Sequence, residues 1–156
     1  MSQADQAMRW KMQEDQKAWD PVIDRKNTER LKELLKENNW PMISVYEKDV
    51  CLAAWLLVQH ADHDTAFQKE ILGKLQALPK GEVELQNIAY LEDRVLVNSG
   101  HLQKYGSQLG PGPNGVAIPR PIDDEAHVDE RRAAMGMMTL AKYIEFANSV
   151  FKGEKK

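Results

Sequence analysis

The sequence predicts an all-α fold, a single compact bundle of five to seven helices, on three observations. Apolar residues recur at three- and four-residue spacing through most of the chain. No segment shows convincing two-residue alternation. The one long irregular stretch, near residues 106–121, is rich in Gly and Pro. At 156 residues the chain fits one domain spanning 1–156, with 152–156 as a solvated tail.

The first helix is expected from about Ala4 to Trp19, where Ala7, Met8, Met12 and Trp19 stand at helical spacing. Asp20-Pro21 interrupts it, because proline disfavours helical geometry in the residue before it. A second helix is predicted from Asp24 to Glu37 on the stripe Leu31, Leu34 and Leu35, and "NNWP" stops it. A third begins near Glu47. Its apolar residues, from Leu52 to Val58, surround the whole circumference, which predicts a helix buried on all sides. Asp64 or Thr65 caps a fourth through Phe67, Ile71, Leu72 and Leu75, ending at "LPKGE". The fifth runs from Leu85 to Ser99 on Ile88, Leu91, Val95 and Leu102, with Gly100 to end or bend it. The last, "TLAKYIEFANSVF", presents Leu140, Tyr143, Ile144, Ala147 and Phe151 on one face. "ISVYE" (43–47) is the one strand-like piece outside these helices, too isolated to build a sheet.

Composition excludes several functions. Hydrophobic residues at 42% and charged residues at 29% are ordinary for a soluble protein. A net charge of -3, with both signs interspersed, argues against nucleic acid. The apolar run from Val50 to Val58 is about half a membrane crossing. The polar N-terminus is no signal peptide. Cys51 is the single cysteine, so no internal disulfide forms. A cytoplasmic monomer or homodimer without membrane or nucleic-acid partners is the expectation.

Chemistry concentrates in "AAWLLVQHADHDTAFQ" (53–68), where an apolar run meets Gln59, His60, Asp62, His63, Asp64 and Gln68. On the helical wheel Gln59 and His63 are i,i+4 neighbours, as are His60 and Asp64. Three readings compete: a satisfied core histidine, an acid–base or substrate-binding His60, and a metal site of His60, His63 and Asp64. The last lacks the fuller spacing of zinc signatures, so no metal is expected. A second polar set follows, with Asp93-Arg94 inside an apolar stretch, then Gln103, Tyr105 and Gln108. Charges inside a buried helix are costly unless paired. Asp93 or Arg94 either forms a structural ion pair or faces His60. No nucleophile elbow, phosphate-cradling loop or dinucleotide fingerprint occurs, and no cofactor is expected. Trp10, Trp19, Trp40 and Trp55 are assigned to packing.

These blocks resemble a widespread bacterial family of small proteins known as a domain of unknown function. The resemblance covers roughly residues 4–145. It rests on Asp5, Gln6 and Arg9, on Asp24, Asn27 and Leu31, and on a Trp-Pro turn. Its most specific blocks are the 53–68 motif, "AYLEDRVLVNSGHLQKYGSQ" and "VDERRAAMGMMTLAKY". Asn39, Glu47 and Ser107 depart from the pattern. The resemblance implies Gln59, His60, Asp62, Asp64, Gln68, Asp93, Arg94, Gln103, Tyr105, Gln108 and Arg132 as signature positions, and favours one shared pocket.

The combined expectation is a pocket between the third and fifth helices, with residues 106–121 as a lid. His60 is the acid–base residue, oriented by Asp93 or Asp64. Gln59, Asp62, Arg94, Gln103, Tyr105, Gln108 and Arg132 bind an oxygen-rich small molecule. The implied activity is cofactor-independent proton-transfer chemistry (elimination, isomerisation, cyclisation or hydrolysis), with bacterial secondary metabolism as one setting. The alternative is a non-enzymatic ligand-binding or interaction domain whose polar cluster is a structural hydrogen-bond network.

Overall fold

A computed structural model describes residues 21–153. The helix expected over 4–19, and the positions Asp5, Gln6, Arg9, Trp10 and Trp19, lie outside them. The described residues fall into two compact units, 21–101 and 102–153.

The first unit holds α1 (Pro21–Glu37), α2 (Lys48–Gln59), α3 (Thr65–Ala77) and α4 (Leu85–Asn98). Within the described residues helix α1 runs from Pro21, three residues before the expected Asp24. Thr28 and Leu31 are buried on α1 and Leu35 is half-buried, while Leu34 of the expected stripe is exposed. The "ISVYE" segment is a turn, with the Val45 and Tyr46 N–H groups donating to the Met42 carbonyl.

Helix α2 corrects two expectations. It is buried along one side, at Cys51, Trp55, Val58 and Gln59, whereas Ala53 and Val50 are exposed. It also stops at Gln59, and His60 is its C-cap, with an N–H that donates to the Leu56 carbonyl. Residues 61–63 turn, and Asp64 opens α3 by accepting from the Phe67 N–H at 3.0 Å. That cap is as expected. Phe67, Ile71, Leu72 and Leu75 bury the inner face of α3 against α4. Helix α4 meets α2 through Trp55, whose indole N–H donates to the Asn87 carbonyl at 2.9 Å. The Trp55 ring stands edge-on to Tyr90, with centroids 6.4 Å apart. Gly100 ends α4 at φ +76, so that the His101 N–H returns to the Leu96 carbonyl and the Gly100 N–H to that of Val97. Those bonds satisfy two of the last open carbonyls.

The second unit is where the purely helical expectation fails. The Gly/Pro-rich segment contains an antiparallel pair, β1 (Leu109–Pro111) and β2 (Ala117–Pro119), in register Leu109 with Pro119 and Pro111 with Ala117. Helices α5 (Val128–Ala134) and α6 (Leu140–Gly153) follow. The described chain is therefore mostly helical with one small sheet. Strands of three residues, closed at one end by proline, carry too little alternation to register as strands in sequence. They persist because side chains supply what strand length does not. Asn148 of α6 accepts from the Ala117 N–H at 2.8 Å and donates to the Ala117 carbonyl at 3.0 Å, pairing β2 as a further strand would. On α6, Leu140, Tyr143 and Ala147 are buried as expected, and Ile144 is half-buried.

Gly106 lies at φ +68, and a Cβ there would come within 2.8 Å of both Ile122 Cδ1 and Leu140 Cδ1. Gly106→Ala is expected to cost about 2 kcal/mol or more, from left-handed backbone strain and overpacking together. Urea unfolding checks this, and a loss below about 0.5 kcal/mol would contradict the tight packing.

Candidate functional site

The turn between α2 and α3 is built around one carboxylate. Asp62 Oδ1 accepts from Arg94 Nε at 2.7 Å, from Asn98 Nδ2 at 2.8 Å and from Gln68 Nε2 at 3.4 Å. Its Oδ2 accepts from Arg94 Nη2, completing a two-point pair. Gln68 is wholly buried, and its amide also donates to the Val58 and Gln59 carbonyls at 3.1 and 3.3 Å. Asn98 closes the ring by donating to Gln68 Oε1 at 3.1 Å. The Gln59 carbonyl, left open where α2 ends, is thus satisfied by a side chain of α3, itself held by α4, while the Val58 carbonyl takes the Ala61 N–H as well. Burial alone would raise the Asp62 carboxyl. Hydrogen bonding and charge from Arg94, with the Asn98 and Gln68 amides, outweigh it and hold the group below its ordinary value.

Asp64 has a different task. Besides capping α3 it takes Lys32 Nζ from α1 at 2.7 Å. The Lys32 hydrogen bond, then the Phe67 N–H, hold its carboxyl low, and Asp64 in turn raises the Lys32 ammonium. The expected helical pairing of Gln59 with His63 and of His60 with Asp64 does not arise, since the chain leaves the helix at Gln59. His60 and Gln59 are buried, and Asp62 and His63 face outward. Asp93 of α4 is fully buried. Gln59 Nε2 reaches the Tyr90 carbonyl, one turn before Asp93, at a long 3.5 Å. Its Oε1 is buried and has no hydrogen-bond partner. No group of three or more His, Cys, Asp or Glu among the described residues is placed to hold a metal ion. Burial pushes the Cys51 thiol above its ordinary value.

The remaining predicted residues belong to the second unit, where Gln103 and Arg132 join backbone segments. Gln103 is wholly buried. Its Nε2 donates to the Gln108 and Arg120 carbonyls at 3.0 and 2.7 Å, and its Oε1 accepts from the Gln108 N–H at 2.9 Å. Gln108 donates to Ser107 Oγ, and the Tyr143 hydroxyl to the Ser107 carbonyl. Arg132 is equally buried. It donates from Nε to the Met138 carbonyl and from Nη1 to that of Tyr105, both at 2.6 Å, with its guanidinium over the Tyr143 ring. The Tyr105 side chain is half-buried. The predicted residues thus divide between the units: Gln59, His60, Asp62, Asp64, Asp93 and Arg94 in one, Gln103, Tyr105, Gln108 and Arg132 in the other.

Three hydrogen-bonding partners were not anticipated from sequence: Lys32, Asn98 and Asn148. Asn98 carried a signal, standing one turn after Arg94 on the same helix face. Lys32 and Asn148 reach partners more than thirty residues away and carried none.

Compared with known proteins, the chain matches one family model, described as a family of unknown function, over residues 1–155. Neither the curated proteins nor the solved structures supply a match.

The Asp62 network has a pH signature. A carboxyl held below its unfolded value, about 4, contributes stability that is full above that value. The contribution is lost as pH falls through the lower folded value. Asp64 acts with the same sign. Stability should therefore fall on acidification below about pH 4. Arg94→Met should lower stability at neutral pH by on the order of 1 kcal/mol and flatten the acid decline without abolishing it. Urea unfolding from pH 3 to 7 tests this (the range brackets the carboxylate values); an unaltered slope in the variant would refute it.

Proposed function

The chain belongs to DUF6624, a family of unknown function, and we propose that its first unit is a cofactor-independent acid–base catalyst acting on an oxygen-rich small molecule. The observation that carries this reading is Gln59. Its amide oxygen is buried without a donor, immediately before the buried His60. A buried acceptor left open costs about 1–3 kcal/mol, and a ligand hydroxyl or N–H would satisfy it. In this reading Gln59 Oε1 accepts from the ligand and His60 moves the proton, since imidazole changes charge nearest neutral pH. Asp93, whose burial is costly for a carboxylate, supplies the charge that orients or balances the imidazole. Elimination, isomerisation, cyclisation and hydrolysis all suit such a pair.

The hydrogen bonds described above support different roles for other predicted residues. Asp62, Arg94, Gln68 and Asn98 position the turn that carries His60, and Asp64 caps α3. Gln103 and Arg132 frame the second unit through backbone carbonyls rather than presenting open groups to a ligand. This same pattern favours the second reading, a non-enzymatic domain whose polar residues fix the fold. Nearly every bond resolved for the set ends on backbone or on another member.

The readings rank damage differently. If Gln59 and His60 form a working site, Gln59→Met and His60→Gln should each cost less than about 1 kcal/mol, because in that reading their polar atoms serve the ligand more than the fold, and the Gln59 bond to the Tyr90 carbonyl is long at 3.5 Å. Gln103→Leu should cost more, since it removes three bonds to buried or part-buried backbone groups. Urea unfolding beside the exposed control Lys69→Ala gives the ranking. A loss above about 1 kcal/mol for His60→Gln, equal to that of Gln103→Leu, would make the histidine structural.

A further inference from the structure

Asn114-Gly115 is the one Asn-Gly pair in the chain, and it stands at the tip of the β1–β2 hairpin, between Pro113 and Val116. Both residues are exposed. The Asn114 side chain makes no hydrogen bond among the described residues, whereas the amides of Asn38, Asn98 and Asn148 are committed to carbonyls or a carboxylate. Its backbone lies at φ 58 and ψ 26, a left-handed geometry unfavourable for most residues that carry a side chain. Gly115 follows at φ +71, and a Cβ there would meet nothing within 4 Å. The peptide joining the two residues is therefore open to solvent and unshielded on its glycine side. The turn is closed by the Val116 N–H on the Pro113 carbonyl at 3.2 Å and the Gly112 N–H on the Val116 carbonyl at 2.8 Å.

We propose that Asn114 is a site of spontaneous self-modification, in which the Gly115 backbone nitrogen closes on Asn114 Cγ. Rotation about the Asn114 ψ brings the nitrogen to Cγ, and glycine, with no Cβ, allows that swing. The new N–Cγ bond displaces the side-chain amide, which takes the proton of the attacking nitrogen and leaves as ammonia. Water then opens the resulting cyclic imide at either carbonyl, giving aspartate or isoaspartate, with no other reactant. Isoaspartate routes the main chain through Cβ and so adds an atom to the turn that sets the register of Gly110 with Ile118 and Pro111 with Ala117. It also places a carboxylate on the tip. Both changes loosen β1 from β2 and the grip of Asn148 on Ala117. The site is independent of His60, so either proposal can fail alone.

The experiment incubates the full chain in mildly alkaline buffer, beside a free peptide of residues 110–118, and follows both by peptide mass spectrometry and the chain by amide NMR. The segment holding Asn114 is expected to gain the mass of an amide-to-acid exchange, mostly as isoaspartate. It should do so severalfold faster than the segments holding the exposed Asn27 and Asn39, which precede Thr28 and Trp40. In the same samples the amides of Gly110, Ala117 and Ile118 should move. Asn114→Gln, whose side chain is one methylene too long for that ring, should show neither change on incubation. Freshly prepared Asn114→Asp brings the charge without the inserted atom and should leave those three amides near their starting positions. An Asn114 still intact long after the free peptide has converted, or reacting no faster than Asn27 and Asn39, would overturn the site. Incubated protein whose Gly110, Ala117 and Ile118 amides match those of fresh Asn114→Asp would overturn its effect on the hairpin.

Discussion

Everything in the first unit follows from how α2 ends. A helix that stops in a buried place leaves carbonyls without partners, and water is not there to take them. Here the Gln68 amide takes that of Gln59 and joins the Ala61 N–H on that of Val58, and Asp62 holds Gln68 while gripping Arg94 and Asn98. One carboxylate with four donors therefore ties the ends of three helices. Charged hydrogen bonds of this kind are stronger than neutral ones and tolerate little rearrangement. The turn from 60 to 64 inherits that rigidity, and with it the placement of His60 inward and His63 outward.

The second unit meets the same demand with neutral amides. Gln103 and Asn148 each satisfy backbone N–H and C=O groups that a longer sheet would pair. Arg132 gives its guanidinium to carbonyls at two loops and lays it over Tyr143. A segment of four prolines and four glycines gains little from ladder bonding. Polar side chains provide the order instead, Asn148 and Arg132 from helices and Gln103 from the chain just before the segment. Their burial reflects that task, and it explains why residues with the look of binding groups sit where no solvent reaches.

Polar residues within apolar runs thus have two kinds of origin in this chain. Most are committed to backbone groups that secondary structure leaves open. Gln59 Oε1, like Ser99 Oγ, is buried without a partner among the described residues, and Gln59 stands beside the one buried histidine. The contrast between filled and open hydrogen-bonding capacity separates scaffold from candidate site more sharply than burial does, since Gln59, Gln68 and Gln103 are equally buried.

The sequence by itself determined α1 to α4 and α6 and most of their boundaries, whereas α5 was not anticipated. Helix α3 with its Asp64 cap, α4 with Gly100 after it and α6 with Tyr143 on its buried face all follow from local periodicity and capping chemistry. Such signals act within a few residues, so a single chain displays them. Only the tertiary structure decided that α2 stops at Gln59 rather than carrying the motif onward. Its ending depends on Gln68, Arg94 and Asn98, between nine and forty residues downstream. It likewise decided that 106–121 contains a hairpin, because Asn148 and Gln103 pair its backbone from outside it. Local pattern reports what a segment prefers; which open backbone group a distant side chain will satisfy is set by packing, and packing has no period in the sequence.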